Sequence, residues 1–311
     1  MAKTTLTHTP VFYMLSSTLS LSVTGLLTKY LSESFDVTTL AFLRFALPAF
    51  LIFSILLFTK IRRPNVATAK LLVVRALCIG ACQLCFIYAL NKLSLVESVV
   101  LFGTGPIFIA VLEKVLFNIK LHRSTTVALL VTFIGVVMLA NNGSGFVVKP
   151  ELLVGLLAGF FNAGSQLSLY KASKTELSGL ETNAWTFGIA SLILLPIVMF
   201  SNWASPESFF SGNTINTGVL WALVIMALLI INTQVTRHKA YSTADTNSQL
   251  APLIYSNLVF TALWQLLAFD IEFSHTQVLG LMLIVITSVL TTVLPLPKGH
   301  ISHKEKSSIV G

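Results

Sequence analysis

The chain has 311 residues, 55% of them hydrophobic and 10% charged, with a mean hydropathy of +0.84. A soluble domain carries roughly 25% charged residues, so the composition excludes a soluble enzyme and leaves no stretch long enough to fold beside the apolar segments. The formal charge of +8 is first a matter of membrane insertion, because Lys and Arg gather in cytoplasmic loops.

Continuous apolar runs such as ILLPIVMF and LWALVIMALLII lack the alternation of barrel strands and read as helices, which satisfy their own backbone in lipid. A helix needs about 20 residues to cross the hydrocarbon core. Ten spans are predicted, at 11–29, 37–59, 70–91, 94–116, 124–141, 152–171, 179–200, 217–237, 243–268 and 277–296. The first has only Lys3 before it and no small-residue cleavage site, so it reads as a retained helix. With the N-terminus inside, fourteen Lys and Arg fall in cytoplasmic segments, Arg237 and Lys239 among them. Three (Lys29, Lys92 and Lys149) fall outside, and Arg44, Arg75 and Lys114 lie within spans. This bias predicts an even number of spans with both termini inside. The basic residues are scattered over six segments, which gives nucleic-acid binding no support.

Taken along the chain, the spans carry few chemical groups. Span 2 holds Arg44. Span 3 holds Arg75, Gln83 and all three cysteines, Cys78, Cys82 and Cys85. On a helix these thiols spread over about 10 Å, which suits packing or cavity lining rather than an iron–sulfur cluster. Span 4 holds Glu97 near its outer end and Glu113 near its inner end, with Gly103, Gly105 and Pro106 between them as a predicted hinge. Matching depths suggest Arg44 with Glu97 and Arg75 with Glu113 as outer and inner gates, or else static ion pairs. Span 6 presents Asn162 and Gln166 four residues apart, beside a small-residue stripe of Gly155, Gly159 and Ala163. Asn232, Gln249 and Asn257 add amides in spans 8 and 9, each a substrate contact or interhelical glue, and Trp185 and Tyr255 offer aromatic walls. The six histidines are assigned to tails and loops, and no Asp or Glu is placed near the middle of a span. That disfavours direct midplane proton coupling.

Sliding span 4 onto span 9 at an offset of 151 pairs Pro106 with Asn257 and divides the chain into two groups of five spans. Five is odd, so the second copy inserts inverted, with a site expected between the copies near the midplane. The stretch VRALCIGACQLCFIYALNKLSLVESVVLFGTGPIFIAVLEKVLF resembles the first repeat of the drug/metabolite transporter superfamily, in its EamA-like branch. APLIYSNLVFTALWQLLAFDIEFSHTQVLGLMLI resembles that family's helix 9, hairpin and helix 10, and TTLAFLRFALPAF its helix 2, with Arg44 at the family's Arg position. The likeness runs from about residue 11 to 296. It departs where the family often ends helix 4 on a Glu, since Asn118-Ile119-Lys120 stands there.

The resemblance implies an all-α membrane protein of ten helices in two inverted five-helix repeats. The expected layout is a cytoplasmic segment 1–10, repeats at 11–141 and 152–296 joined by an external linker 142–151, and a basic cytoplasmic tail 297–311. The implied function is alternating-access movement of a small organic metabolite or amphipathic compound (an amino acid, a nucleoside-like molecule or a drug) across the inner membrane, by export or exchange. Neither enzymatic activity nor a cofactor or metal is expected. The partners expected are a small-molecule substrate and the bilayer, and one chain suffices for a pathway. Alternative readings are an importer of the S-adenosylmethionine type within the same family, and a ligand-binding receptor or channel without carrier activity.

Overall fold

The computed structural model describes residues 8–58, 61–93, 98, 101–117, 123–140, 150–204, 216–244, 250–268 and 274–293. Regular structure among them is helical. In chain order the helices are α1 (His8–Leu31), α2 (Val37–Leu56), α3 (Val66–Lys92), α4 (Gly105–Phe117), α5 (Arg123–Ala140), α6 (Pro150–Ala172), α7 (Gly179–Ala204) and α8 (Thr217–Thr243). After a helical turn at Ala251–Ile254 come α9 (Ser256–Ala268) and α10 (His275–Val293). Six of them (α1, α2, α3, α6, α7 and α8) contain stretches long and apolar enough to cross a membrane. Large side chains such as Phe50, Phe58, Leu192 and Phe200 stand exposed on the outside of the bundle, where lipid is their solvent.

Helix starts follow local chemistry. Asp36 caps α2 by accepting from the backbone N–H of Thr38 at 3.0 Å and of Thr39 at 3.3 Å. Asn65 caps α3 and Asn216 caps α8 in the same way. At α7, Ser178 and Glu181 form a reciprocal box: the Ser178 N–H donates to the Glu181 carboxylate at 2.8 Å, and the Glu181 N–H donates back to the Ser178 hydroxyl at 3.3 Å. Ser274 and Gln277 repeat the device at α10.

The main packing partners lie in opposite halves of the chain. α3 packs on α6 and α1 on α8; α4 packs on α6 and α1 on α9; α3 meets α7 and α2 meets α8; α2–α7 and α5–α10 complete the set. A core of Phe45, Ile52, Ile79, Phe187, Leu194 and Met226 joins α2, α3, α7 and α8, with the rings of Phe45 and Phe187 5.9 Å apart. Lengths recur as well. α3 and α8 each have 27 residues, α4 and α9 each have 13, and in both cases the second helix begins 151 residues after the first.

Two expectations are corrected. Span 8 does not end at 237, nor does span 9 begin at 243: α8 continues to Thr243. The Arg-His-Lys sequence reads as a loop, but Arg237 and His238 are buried because groups on α1 and α7 receive them. Spans 4 and 9 are discontinuous, the first at its predicted hinge. Gly103-Thr104 breaks the first ahead of α4, and Tyr255 breaks the second ahead of α9.

The break before α4 is held against the small-residue face of α6. A Cβ on Gly159 would meet the Thr104 hydroxyl and stand 2.8 Å from the backbone oxygen of Leu101, while one on Gly155 would meet mainly the movable Leu101 side chain. Overpacking of this kind costs about 1–3 kcal/mol. Gly159→Ala is therefore expected to lower the thermal stability of the detergent-solubilised protein more than Gly155→Ala does; equal midpoints would contradict the rigid approach of Leu101 to α6.

Candidate functional site

The helices line a pocket with side chains from α1, α2, α3, α6, α7 and α8. Its polar lining is Arg44, Gln83, Asn162, Gln166, Gln234 and Arg237. A second space shares Leu21, Arg44, Gln83 and Phe102 with the first and reaches Asn257 and Thr261 on α9. The two read as one chamber, whose walls come from both halves of the chain.

Three arginines lie in this interior, each 5% exposed or less. Arg75 holds α3 to α7 and α8. Its Nη1 donates to the Thr186 hydroxyl at 3.0 Å, and its Nη2 donates to Asn183 Oδ1 at 2.9 Å and Gln234 Oε1 at 3.2 Å. Arg44 donates from Nη1 to the Thr28 hydroxyl and, at 3.9 Å, to the sulfur of Met226. Arg237 donates from Nε to the Ser17 hydroxyl at 3.0 Å, and that hydroxyl in turn donates to the Thr233 carbonyl at 2.9 Å. All these acceptors are neutral. A buried guanidinium needs such dipoles, since the desolvation cost is otherwise several kcal/mol.

An amide relay runs beside the arginines. The Tyr241 hydroxyl donates to Gln166 Oε1 at 3.2 Å, and Gln166 Nε2 donates to Asn162 Oδ1 at 3.1 Å. Asn162 packs onto Gly105 at the start of α4, where a Cβ would stand 2.8 Å from its amide nitrogen. The relay thus leads from α8 across α6 to the break before α4. Tyr241 is within electrostatic reach of Arg75, Arg237 and Glu113.

The sequence-predicted residues divide by position. Gln83, Asn162 and Gln166 line the first cavity, and Gln83 and Asn257 the second. Asn232 is on an exposed face of α8 and donates to the Ser20 hydroxyl at 2.7 Å, joining α8 to α1 as helix glue. Trp185 stands at the α7 entrance, edge-on to Phe53 with ring centroids 6.0 Å apart, and donates to the Arg62 carbonyl at 3.1 Å. Tyr255 is buried at the break before α9 among Phe86, Leu90 and Leu258. Glu97 and Gln249 lie outside the described residues. Arg44 lines both cavities, Arg75 is fully buried in its clamp, and Glu113 is fully buried on α4. Gly103, Gly105 and Pro106 lie at the helix break. Cys82 lines the cavity and is a free thiol, as are Cys78 and Cys85.

Sequence reasoning missed three contributors. Arg237 passed for a loop residue, and Thr233 and Gln234 stayed unnamed although they follow Asn232 in the same polar run. His238, assigned to a loop, is buried with its Nε2 3.4 Å from the Thr182 hydroxyl.

Several buried polar atoms in this chamber have no protein partner, among them Gln83 Oε1, Asn257 Oδ1 and Thr233 Oγ1. An unpaired buried acceptor costs about 1–3 kcal/mol, a cost that a solute carrying N–H or O–H groups would relieve. Gln83→Leu and Asn257→Leu are expected to leave thermal stability equal or higher while lowering solute flux. A loss of stability in both would mark these amides as structural.

The sequence profile of the EamA-like transporter family matches residues 8–141 and 149–293. A pseudopaline exporter of Pseudomonas aeruginosa, CntI, is 24% identical over 247 residues, covering 78% of this chain and 81% of its own. An uncharacterised transporter of Helicobacter pylori is 27% identical over 126 residues, 40% of this chain and 42% of its own. A solved crystal structure superposes with a TM-score of 0.69 at 17% identity, covering 92% of this chain and 96% of that one, which is a likeness of fold.

Proposed function

The chain belongs to the EamA-like transporter family, a multi-pass membrane transporter, and from that membership we propose that it moves a small organic metabolite outward across the inner membrane by alternating access. The observation that carries the proposal is the polar chamber enclosed jointly by α1–α3 and α6–α8. A chamber with apolar walls and a few convergent polar groups suits a small organic molecule better than a bare ion. The likeness to a protein named as an exporter favours the outward direction; at this identity its substrate is not carried over.

Movement is read as rocking of two inverted five-helix repeats, with ten spans and both termini in the cytoplasm. Three observations support this. Helix lengths recur at a spacing of 151 residues. Packing is reciprocal between the halves, so that exchanging α1–α5 with α6–α10 maps the principal contacts onto one another. Among the described residues each half also contributes five of the named helices, and five spans per half would insert in opposite senses. The breaks at Gly103-Thr104 and Tyr255 supply corresponding points of flexure. Arg75 ties α3 to two second-half helices, and we assign it with Glu113 to the inner gate and Arg44 with Glu97 to the outer one.

Reconstituted vesicles test the mechanism. Preloaded with cell metabolites, they are expected to show saturable flux accelerated by solute on the opposite side. Flux linear in concentration and indifferent to the trans side would establish a channel, and binding without flux a receptor. For the gates, alanine at one residue or more of each pair is expected to slow exchange at least about tenfold, which corresponds to roughly 1.4 kcal/mol on the barrier. Normal exchange in single alanine variants of Arg44, Glu97, Arg75 and Glu113 removes the gate assignment.

A further inference from the structure

We propose that the chamber selects an organic anion, a molecule with a carboxylate on an apolar body. The inference rests on reading this chamber as the solute site and names the chemistry of its occupant. Arg44 and Arg237 line the same cavity, both nearly excluded from solvent. Among the described residues lining either cavity there is neither Asp nor Glu. Arg75 adds a third positive charge within electrostatic reach of Arg237, and its hydrogen-bond acceptors are the neutral Thr186, Asn183 and Gln234. Of the buried carboxylates, Glu181 is committed at the α7 entrance to the N–H groups of Ser178 and Arg62. Glu113 lies on α4 toward Tyr241.

The arginines also keep donors in reserve. Nε of Arg44, Nε of Arg75 and Nη2 of Arg237 are buried without a partner. Hydroxyls, amides and a thioether satisfy part of each guanidinium but supply no counter-charge, and in a medium of low dielectric the remaining attraction for an anion is large. Thr28 and Ser17, which hold Arg44 and Arg237, stand eleven residues apart on α1, so a carboxylate meets one guanidinium at a time, and charge-assisted bonds to it are roughly twice as strong as neutral ones. A monoanion matches the single charge of one guanidinium, whereas a dianionic phosphate brings a second charge that it leaves unmet. Phe45, Phe102, Phe187, Ile79 and Ile230 make the rest of the wall apolar, which favours a carbon-rich body over chloride or another inorganic ion. The orphan oxygens of Gln83 and Asn257 accept from N–H or O–H groups on the same molecule, so an amino- or hydroxy-substituted acid fits best.

The test uses the purified full chain in nanodiscs with probes of one size and three charges: 3-phenylpropionate, 3-phenylpropanamide and phenethylammonium, with benzyl phosphate as a fourth. Binding is read by thermal stabilisation across a concentration series. The carboxylate is expected to bind at least about tenfold more tightly than the amide or the ammonium, since one charge-assisted bond contributes about 1.5–3 kcal/mol. Arg237→Gln and Arg44→Gln are expected to erase that preference, and Arg237→Lys to retain part of it. Equal binding of acid and amide, preference for the ammonium, or tighter binding of benzyl phosphate would each overturn the proposal. So would an undiminished preference in folded Arg237→Gln and Arg44→Gln proteins. Counterflow into vesicles loaded with cell extract separates this from the transport reading. Accumulated solutes that lack a carboxylate would sink the anion assignment and keep transport; carboxylate binding without flux of any solute would do the reverse.

Discussion

Hydrocarbon gives a buried polar group no water to fall back on, and the interior of this bundle is organised around that constraint. Arg75 is its sharpest case. Completely buried in α3, the guanidinium reaches acceptors on α7 and α8, and those acceptors are themselves fixed. The Asn183 amide donates to the Gly179 carbonyl at 2.7 Å, and the Thr186 hydroxyl donates to the Thr182 carbonyl at 2.7 Å. One charge thereby sets the spacing and rotation of three helices from opposite halves. Nε of Arg75 has no partner, and the loss of one member of the clamp would leave further groups unpaired.

Close backbone approach is the complementary device. Gly155 and Gly159 let the break ahead of α4 lie on α6, and Gly135 of α5 comes within 2.8 Å, measured from an ideal Cβ, of the Gly280 carbonyl on α10. Without a strong hydrophobic drive between helices in lipid, such contacts carry the packing. At helix ends, lysines take over. Lys29 at the end of α1 donates to the Leu90 carbonyl near the end of α3 at 3.2 Å, and Lys174 beyond α6 donates to the Ser242 and Ala244 carbonyls at the end of α8 at 3.0 and 2.5 Å. Cations there complement the helix dipole, and the two halves use the same arrangement.

The sequence makes the helical class and most span positions legible because twenty apolar residues in a row leave lipid as the only solvent. It also makes Gly103-x-Gly105-Pro106 legible as a discontinuity, since Pro and Gly act locally. The break at Tyr255 was legible only approximately: Pro252 stands three residues before it, and no Gly or Pro at the residue itself. Arg237 was hidden for another reason. Followed by His238 and Lys239, it resembles the start of a loop, and its burial is decided by Ser17, 220 residues away. Asn162 and Gln166 could be placed on one face from their spacing of four. Whether an amide in a span becomes cavity wall, like Gln83, or glue, like Asn232, depends on which neighbouring helix its face meets.

The scaffold is more symmetric than its chemistry. Gln83 on α3 and Gln234 on α8 lie 151 residues apart, the interval at which these helices recur, and both line the chamber. Yet Gln234 accepts from Arg75 while Gln83 Oε1 has no partner. At the same interval Arg75 corresponds to Met226, and Arg237 to Phe86. On the proposed alternating-access reading, a near-symmetric backbone would let two opposite conformations have similar energies, with modest differences in contact deciding between them. The unequal placing of the arginines supplies such differences. The Arg75 clamp joins both halves through Gln234, which also lines the chamber, so clamp and chamber meet at one acceptor.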